Sequence, residues 1–473
     1  MNAPDPHSFI GTETVETRFG NFEFRGGYPT AKAIAKLYEL RTFNRAIEAY
    51  LRQISVVSMF YQRKGLNDFG VDAANKFAIS ETLNGAKQLF LTSNTETVYG
   101  TSFLDLKRDG PIVVVAPPKM YGGALDMCQR SVVEIGPTGP DQGRGGKFLF
   151  LPPGYEGEVP SSYFVVKSPT FGLWFVVRGF LVDGKPDQAV TLMKTMKLYP
   201  LAQTANPAAM TFLDLSARPI DTVFPDSYAF FEALAMIVEQ EPVDAISPSD
   251  RFLLASIGIE KGKPFNPGAE TKKVLQEAAR VGAAMARVNT FASRDPASLV
   301  YPDRRWEWAF LGGSYTWDAK GYVNYDESAS WFYQATGSSP AMVNKAVGVG
   351  SQYIWTPRDA NGEFLDGGKS YRLHLPPNVP AEQFWSIIVY DALSRSELEN
   401  GQPFPSINSY ANPATSADGS LDIYFGPNAL AGKEKNWIRT VPGKGWFPWI
   451  RFYSPTAAFF DKTWRPDDII EAS

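Results

Sequence analysis

Tyr163-Phe-Val-Val-Lys-Ser-Pro-Thr-Phe-Gly-Leu-Trp-Phe-Val-Val-Arg178 reads as two short strands, Tyr163 to Lys167 and Leu173 to Arg178, divided by turn residues. Similar runs precede them at Phe90 to Thr92, Thr97 to Phe103, Pro111 to Ala116 and Lys147 to Leu151. Strands at such spacing predict an antiparallel sandwich or barrel. The signal returns beyond Trp331, in Tyr371 to Leu375, Phe384 to Tyr390, Leu421 to Phe425 and Trp446 to Tyr453, with an Asp418-Gly419 turn before the third, and predicts a second sandwich.

Two regions carry a helical period instead. From Ala31 to about Arg63, apolar residues recur at three- and four-residue steps (Ile34, Leu37, Leu40, Phe43, Ile47, Leu51, Ile54, Val57), as in an amphipathic packing helix, broken at most once. Between Leu201 and Ser328 the clearest helical segments are Asp226 to Glu239, Asp250 to Ile257 and Ala269 to Arg287, with Ser247 to Ser249 offering caps. The chain therefore divides into a tail and long helix over 1–66, a first β domain over 67–200, a helical region over 201–330 and a second β domain over 331–473. No flexible Gly/Ser linker separates them, so tight packing is expected.

Composition narrows the function. The 473 residues suffice for two to three domains. Lys and Arg number 46 against 50 Asp and Glu, with no run of like charge, which argues against a nucleic-acid partner. Gly 40 and Pro 36 suit a turn-rich β protein, and 11 Trp, 21 Tyr and 33 Phe can fill cores or line clefts. Cys128 is the lone cysteine, so neither an intramolecular disulfide nor a thiol pair is available. No stretch reads as a membrane span and the lead segment lacks an apolar signal core, so the chain reads as cytoplasmic as written; removal of a leader would make it periplasmic or secreted. With only His7 and His374, a three-histidine zinc site is impossible, and acid/base work falls to carboxylates, tyrosines or lysines. His374 sits in a strand-like alternation and reads as a surface or cross-strand residue. No cofactor is predicted, although a divalent metal held by oxygen ligands leaves little trace in spacing.

Asn94-Thr95-Glu96-Thr97-Val98-Tyr99 gathers amide, hydroxyl, carboxylate and phenol groups at a strand opening. Strand alternation puts Glu96 with Asn94 and Val98 on the inward face at the sandwich rim, where partial burial favours acid/base use; the plainer reading pairs Glu96 with Arg130 or Arg178. An inward-pointing strand arginine, Arg130 or Arg178, needs a carboxylate or an anionic ligand. In the second β domain, Trp385, Asp391, Arg395 and Trp446 combine aromatic walls with charges suited to a sugar or aromatic ligand, while core filling explains the tryptophans equally well.

Several stretches resemble a bacterial family with two domains of unknown function in tandem, numbered 1254 and 1214. In the first half these are Leu91-Thr-Ser-Asn-Thr-Glu-Thr-Val-Tyr99, Leu149-Phe-Leu-Pro-Pro-Gly-Tyr155, Ser168-Pro-Thr170 and Arg178-Gly-Phe-Leu-Val-Asp-Gly184. In the second they include Gly367-Gly-Lys-Ser-Tyr371, Tyr424-Phe-Gly-Pro427, Val441-Pro-Gly-Lys-Gly-Trp446 and Phe460-Asp-Lys-Thr-Trp-Arg-Pro466. The resemblance implies an α+β, mainly β molecule of two antiparallel jelly-roll-like sandwiches, with a helical layer packed around and between them. It also implies that the second sandwich is similar in architecture to those of glycan-amidase enzymes, and it implies no reaction. Glu96 stands where many members have Asp.

The functional expectation is a hydrolase or lyase acting on a small polar or glycan-like compound in a cleft between sandwiches and helices. Glu96 and Tyr99 would be catalytic, and Asn94, Thr97, Arg130, Arg178, Trp385, Asp391, Arg395 and Trp446 would bind substrate. The alternative is a non-catalytic, envelope-associated protein binding a small molecule or glycan in the same cleft. A homo-oligomer is compatible with either.

Overall fold

The computed structural model describes residues 11–319 and 321–472. His7 lies outside them. The described chain is α+β, with helix and strand each at 28%; the β majority expected from turn content is offset by the length of three helices. Ala31–Arg52 and Ile54–Phe69 form the predicted long helix with its one break, at Gln53. Ala269–Phe291 runs a turn beyond the prediction. Pro248–Ala255 begins at Ser247, whose hydroxyl accepts from the Asp250 N–H as a cap.

In the first β domain, a four-stranded sheet orders Phe164–Lys167, Gly146–Leu151, Ile112–Ala116 and Lys197–Pro200. A six-stranded sheet orders Thr211–Asp214, Lys76–Ile79, Thr97–Asp105, Gly172–Phe180, Tyr121–Asp126 and Ser131–Ile135. Phe148, Phe150 and Val114 of one meet Val98, Leu104, Phe175 and Val177 of the other in a shared core. In the second β domain, Glu307–Trp308, Ser351–Trp355, Trp446–Pro455, Ala381–Asp391 and Ser406–Asn408 form one sheet. Trp437–Arg439, Leu421–Gly426, Tyr371–Leu375 and Ile470–Glu471 form its companion. Ile387, Ile450 and Phe452 pack there against Leu373, Ile423 and Phe425.

The pairing is not wholly antiparallel as expected. Phe164–Lys167, Thr211–Asp214 and Trp437–Arg439 join their sheets in parallel, each at an edge. The first returns to its partner over the twelve residues 152–163, the span a parallel crossover requires. Phe90 to Thr92, predicted as a strand, is turn and loop.

A third and larger core fixes the site. Alternation leaves a second apolar face on the inner sheet of each domain: Phe103 and Leu125 on the first, Tyr353, Trp355, Ile388, Tyr390, Phe447 and Trp449 on the second. These faces and the helices share one core, so the helices pack between the two β domains as well as around them.

Candidate active site

The six-stranded sheet sets Tyr99, Arg178 and Tyr121 side by side, because Arg178 is in register with Tyr99 on one neighbouring strand and Tyr121 on the other. Val98 and Val177 point into the first core, so the row faces away from it, towards the second domain. There Tyr353 is in register with Arg451, and Tyr453 lies two residues beyond.

Two guanidiniums are thus enclosed among phenols. The Arg178 guanidinium lies 5.8 Å from the Tyr453 ring centroid, and its charge is felt by the Tyr353 phenol. Arg451 donates to the Thr92 carbonyl at 2.7 Å and to the Tyr390 hydroxyl at 2.8 Å, and its guanidinium sits 5.1 Å from the Tyr353 ring and 4.9 Å from Trp449. Among the described residues, neither arginine has a carboxylate within 4.0 Å. Their charge falls on the phenols instead. Burial pushes the Tyr353 phenol up, but the charges of Arg178 and Arg451, with the hydrogen bond to Ser351, more than offset this and hold it below the ordinary value. Burial leaves Tyr453 and Tyr390 raised.

Two cavities open on Arg178. One of about 130 Å³ is lined by Tyr121, Glu134, Arg178, Phe180, Gln383 and Tyr453 among others. The other, about 120 Å³, is lined by Tyr99, Tyr121, Trp174, Arg178, Ser338 and Met342 among others. Of the sequence-predicted residues, Tyr99 and Arg178 come together here, and Asn94 reaches the rim by donating its amide to the Tyr453 hydroxyl.

Glu96 takes a different place from the one expected. The chain is not yet a strand at Asn94 to Glu96, so strand alternation does not govern it. Glu96 turns towards the second domain instead, where its carboxylate accepts from Thr95 Oγ1 at 2.7 Å and from the Asn408 amide. It pairs with neither Arg130 nor Arg178 and lines neither cavity. Thr97 faces Phe180 across the sheet, with its hydroxyl buried and without a partner. Arg130 closes the turn after Tyr121–Asp126 by pairing with buried Asp126 at 2.6 Å.

The second-domain residues spread apart. Trp385 and Trp446 fill the sandwich core. Asp391 accepts from the Leu393 and Ser394 N–H groups and pairs with Lys444. Arg395, buried with φ near +59°, donates to the Tyr333 carbonyl at 2.9 Å, and its own carbonyl accepts from the Thr92 N–H. His374 is the expected cross-strand residue, with Nδ1 2.8 Å from Asp422 Oδ1.

Sequence reasoning missed Tyr121, Tyr353, Tyr453 and Glu397. Glu397 is buried, accepts from Ser93 Oγ at 2.6 Å through one oxygen, and leaves the other without a partner. Burial, with Glu96 nearby, pushes its carboxyl up to about 8 despite the Ser93 hydrogen bond and Arg451. Tyr353, Tyr453 and Glu397 lie on the far side of contacts that, at Glu397 and Tyr453, span 304 and 359 sequence positions, whereas Tyr121 is on the strand beside Arg178. The placing of Arg451 and Tyr453 two residues apart, on one face of the strand Trp446–Pro455, was the signal available.

Residues 74–200 match the family model described as a protein of unknown function (DUF1254), and residues 350–457 match that of a protein of unknown function (DUF1214). No curated protein matches the chain. Among solved structures, the crystal structure of the VPA0106 protein from Vibrio parahaemolyticus is similar at 19% identity and a TM-score of 0.54, over 91% of this chain and 100% of that one. A putative uncharacterized protein from Burkholderia cenocepacia aligns at 12% identity and a TM-score of 0.40, over 92% of this chain and 95% of that one. The first likeness bears on fold alone. With both models matched in order along one chain, this protein belongs to the family that carries these two domains of unknown function in tandem.

Proposed function

We propose that the cleft between the two inner sheets binds a compact anion, a small carboxylate-bearing compound, with Arg178 as its anchor. The observation that carries this reading is a guanidinium at the junction of two cavities, among phenols and with no carboxylate within 4.0 Å of it among the described residues; Glu134, which lines both cavities, accepts from the Ala341 N–H instead. A cation enclosed in this way is costly unless an anion completes it, and a planar guanidinium suits a carboxylate in bidentate geometry. Tyr99, Tyr121 and Tyr453 add hydroxyls around the same space. The cavity volumes favour a ligand of few heavy atoms over an extended glycan.

The test is calorimetric titration with acetate, pyruvate, malonate and succinate. Arg178→Met should abolish the binding of whichever acid the native protein takes, and Tyr99→Phe should weaken it severalfold. Absence of binding by all four at millimolar concentration, or binding unchanged in Arg178→Met, would overturn the proposal.

Catalysis is a second reading, favoured by the acidified Tyr353 phenol between two arginines. A tyrosine whose phenolate is stabilised in this way is more available as a base than an ordinary tyrosine, which suits a hydrolase or lyase. In this version Tyr353 and Tyr99 hold and move the proton, while Glu96, both oxygens engaged, supports the loop that carries Asn94. Mass spectrometry of the bound acid after incubation separates the readings: an altered compound means an enzyme, and an unchanged one means a binding protein. The jelly-roll winding and its kinship with glycan-acting sandwiches belong to this proposal also.

A further inference from the structure

A larger cavity, about 560 Å³, lies apart from the inter-sheet cleft, where the ends of helices Ala269–Phe291 and Tyr325–Gln334 meet the edge strand Glu307–Trp308. That volume is in the range of small-molecule sites. Asp295, Glu307, Asp326 and Glu327 line it, against the single cation Arg294 among its lining residues. Trp308, Trp317, Trp331 and Trp355 supply its apolar wall.

Gln334 sets this cavity apart from an ordinary acidic patch. It lines the cavity, is only 2% exposed, and its Oε1 has no hydrogen-bond partner. A buried acceptor left unmet is expensive, and a donor from a ligand would satisfy it. Glu307 and Glu327 likewise show no hydrogen bond to their carboxylates among the described residues. The groups that want partners are therefore acceptors, and most carry or can carry negative charge. No group of three or more acidic, His or Cys side chains among the described residues converges closely enough to hold a metal ion, so the complement is a spread charge. Indole walls suit such a charge through cation–π attraction and suit methylene groups through burial.

We infer that this cavity binds an organic cation, a small amine or polyamine, whose N–H groups meet Gln334 Oε1 and the Glu307 and Glu327 carboxylates while its methylenes lie against the tryptophans. Burial pushes both glutamates up to about 7, with Arg358 lowering Glu307 and Asp295 adding to the rise at Glu327. The other charges facing the site are Asp326 and Arg294 in the lining, with Lys345 and Lys462 at 4.7 and 6.0 Å from the Trp308 ring. Ionisation above about pH 7 supplies the negative charge, and protonation below it removes that charge.

Calorimetric titration of the full chain with putrescine, spermidine and choline at pH 5.5 and 8.5, with cellobiose as the neutral control, tests this. Saturable amine binding at pH 8.5, weakened about tenfold or more at pH 5.5, is expected. Glu307→Gln and Glu327→Gln should each weaken it severalfold at pH 8.5 with the melting temperature unchanged or raised, since each replaces a buried acid by a neutral amide. Gln334→Met, close in length but without the amide, should weaken binding and preserve its pH dependence. No heat with any amine at millimolar concentration, affinity equal at both pH values, or cellobiose binding as tightly would overturn the inference.

Discussion

Glu397 illustrates how a residue with no motif around it becomes important. Its protonated form fits the buried site between Ser93 and Tyr390 better than its charged form does, which is what a carboxyl raised to about 8 means. The sign follows from proton linkage. Between the ordinary carboxylate range and about pH 8 the folded state holds a proton that the unfolded chain has released, so this group's contribution to stability is full at low pH and falls as pH rises. Glu397→Gln keeps the shape and never ionises. The variant should therefore melt above the native protein at pH 8.5, with the difference shrinking towards pH 5.5. A difference that stays constant or grows on acidification would mean that Glu397 is held ionised. Of the site itself, the sequence made Tyr99, Arg178 and Asn94 legible, since polar groups at a strand opening and an arginine in an apolar strand are local signals. Tyr353, Tyr453 and Glu397 were not legible, because only the meeting of distant faces makes one tyrosine differ from the 20 others.

Elements whose side chains announce their burial were legible, and those shaped by close approach were not. Ile112–Ala116 and Gly172–Phe180 are rich in β-branched and aromatic residues and lie within a residue or two of their predicted bounds. Tyr121–Asp126 was missed because Gly122-Gly123 looks like a turn. A Cβ on Gly122 would come within 2.2 Å of the Val176 carbonyl oxygen, and one on Gly123 within 2.0 Å of the Val133 oxygen, so the glycines let this strand fit between its neighbours. The same reasoning applies to Gly282 in the Ala269–Phe291 helix. A Cβ there would lie 2.8 Å from the Tyr50 ring, which is stacked on Phe230 at 4.0 Å and cannot easily retreat. Alanine would gain about 0.5–1 kcal/mol of helix propensity. Overpacking of a tight core costs about 1–3 kcal/mol and should win. Gly282→Ala is thus expected to lower the midpoint of denaturant unfolding; a raised midpoint would show that the Tyr50 contact yields.

The two β domains are joined through a short latch as well as through the shared core. Residues 92–96, the heart of the motif that carries the family resemblance, each give at least one polar group to the second domain. Thr92 N–H meets the Arg395 carbonyl, Thr92 C=O meets Arg451, and Ser93 C=O meets the Tyr390 hydroxyl. Ser93 Oγ meets Glu397, Thr95 Oγ1 lies 3.2 Å from Ser406 Oγ, and the Asn94 and Glu96 side chains meet Tyr453 and Asn408. Each such group, buried without its partner, costs about 1–3 kcal/mol. Several of them together equal the roughly 5–15 kcal/mol by which a whole domain is stable. Separation would also bare the apolar faces that each domain turns to the common core. The absence of a linker in the sequence already pointed to tight packing, but not to which segment crosses, because a hydrogen-bonded loop has no periodicity to read. The full chain should therefore unfold in one transition, coincident by far-ultraviolet circular dichroism and tryptophan fluorescence. Residues 67–215 and 300–473, which keep the edge strands Thr211–Asp214 and Glu307–Trp308, should when expressed separately lack cooperative unfolding and bind a hydrophobic dye. Two resolved transitions in the full chain, or a separate domain that melts sharply, would show that the latch joins units already stable alone, and the inter-sheet cleft would then be a hinge rather than a fixed site.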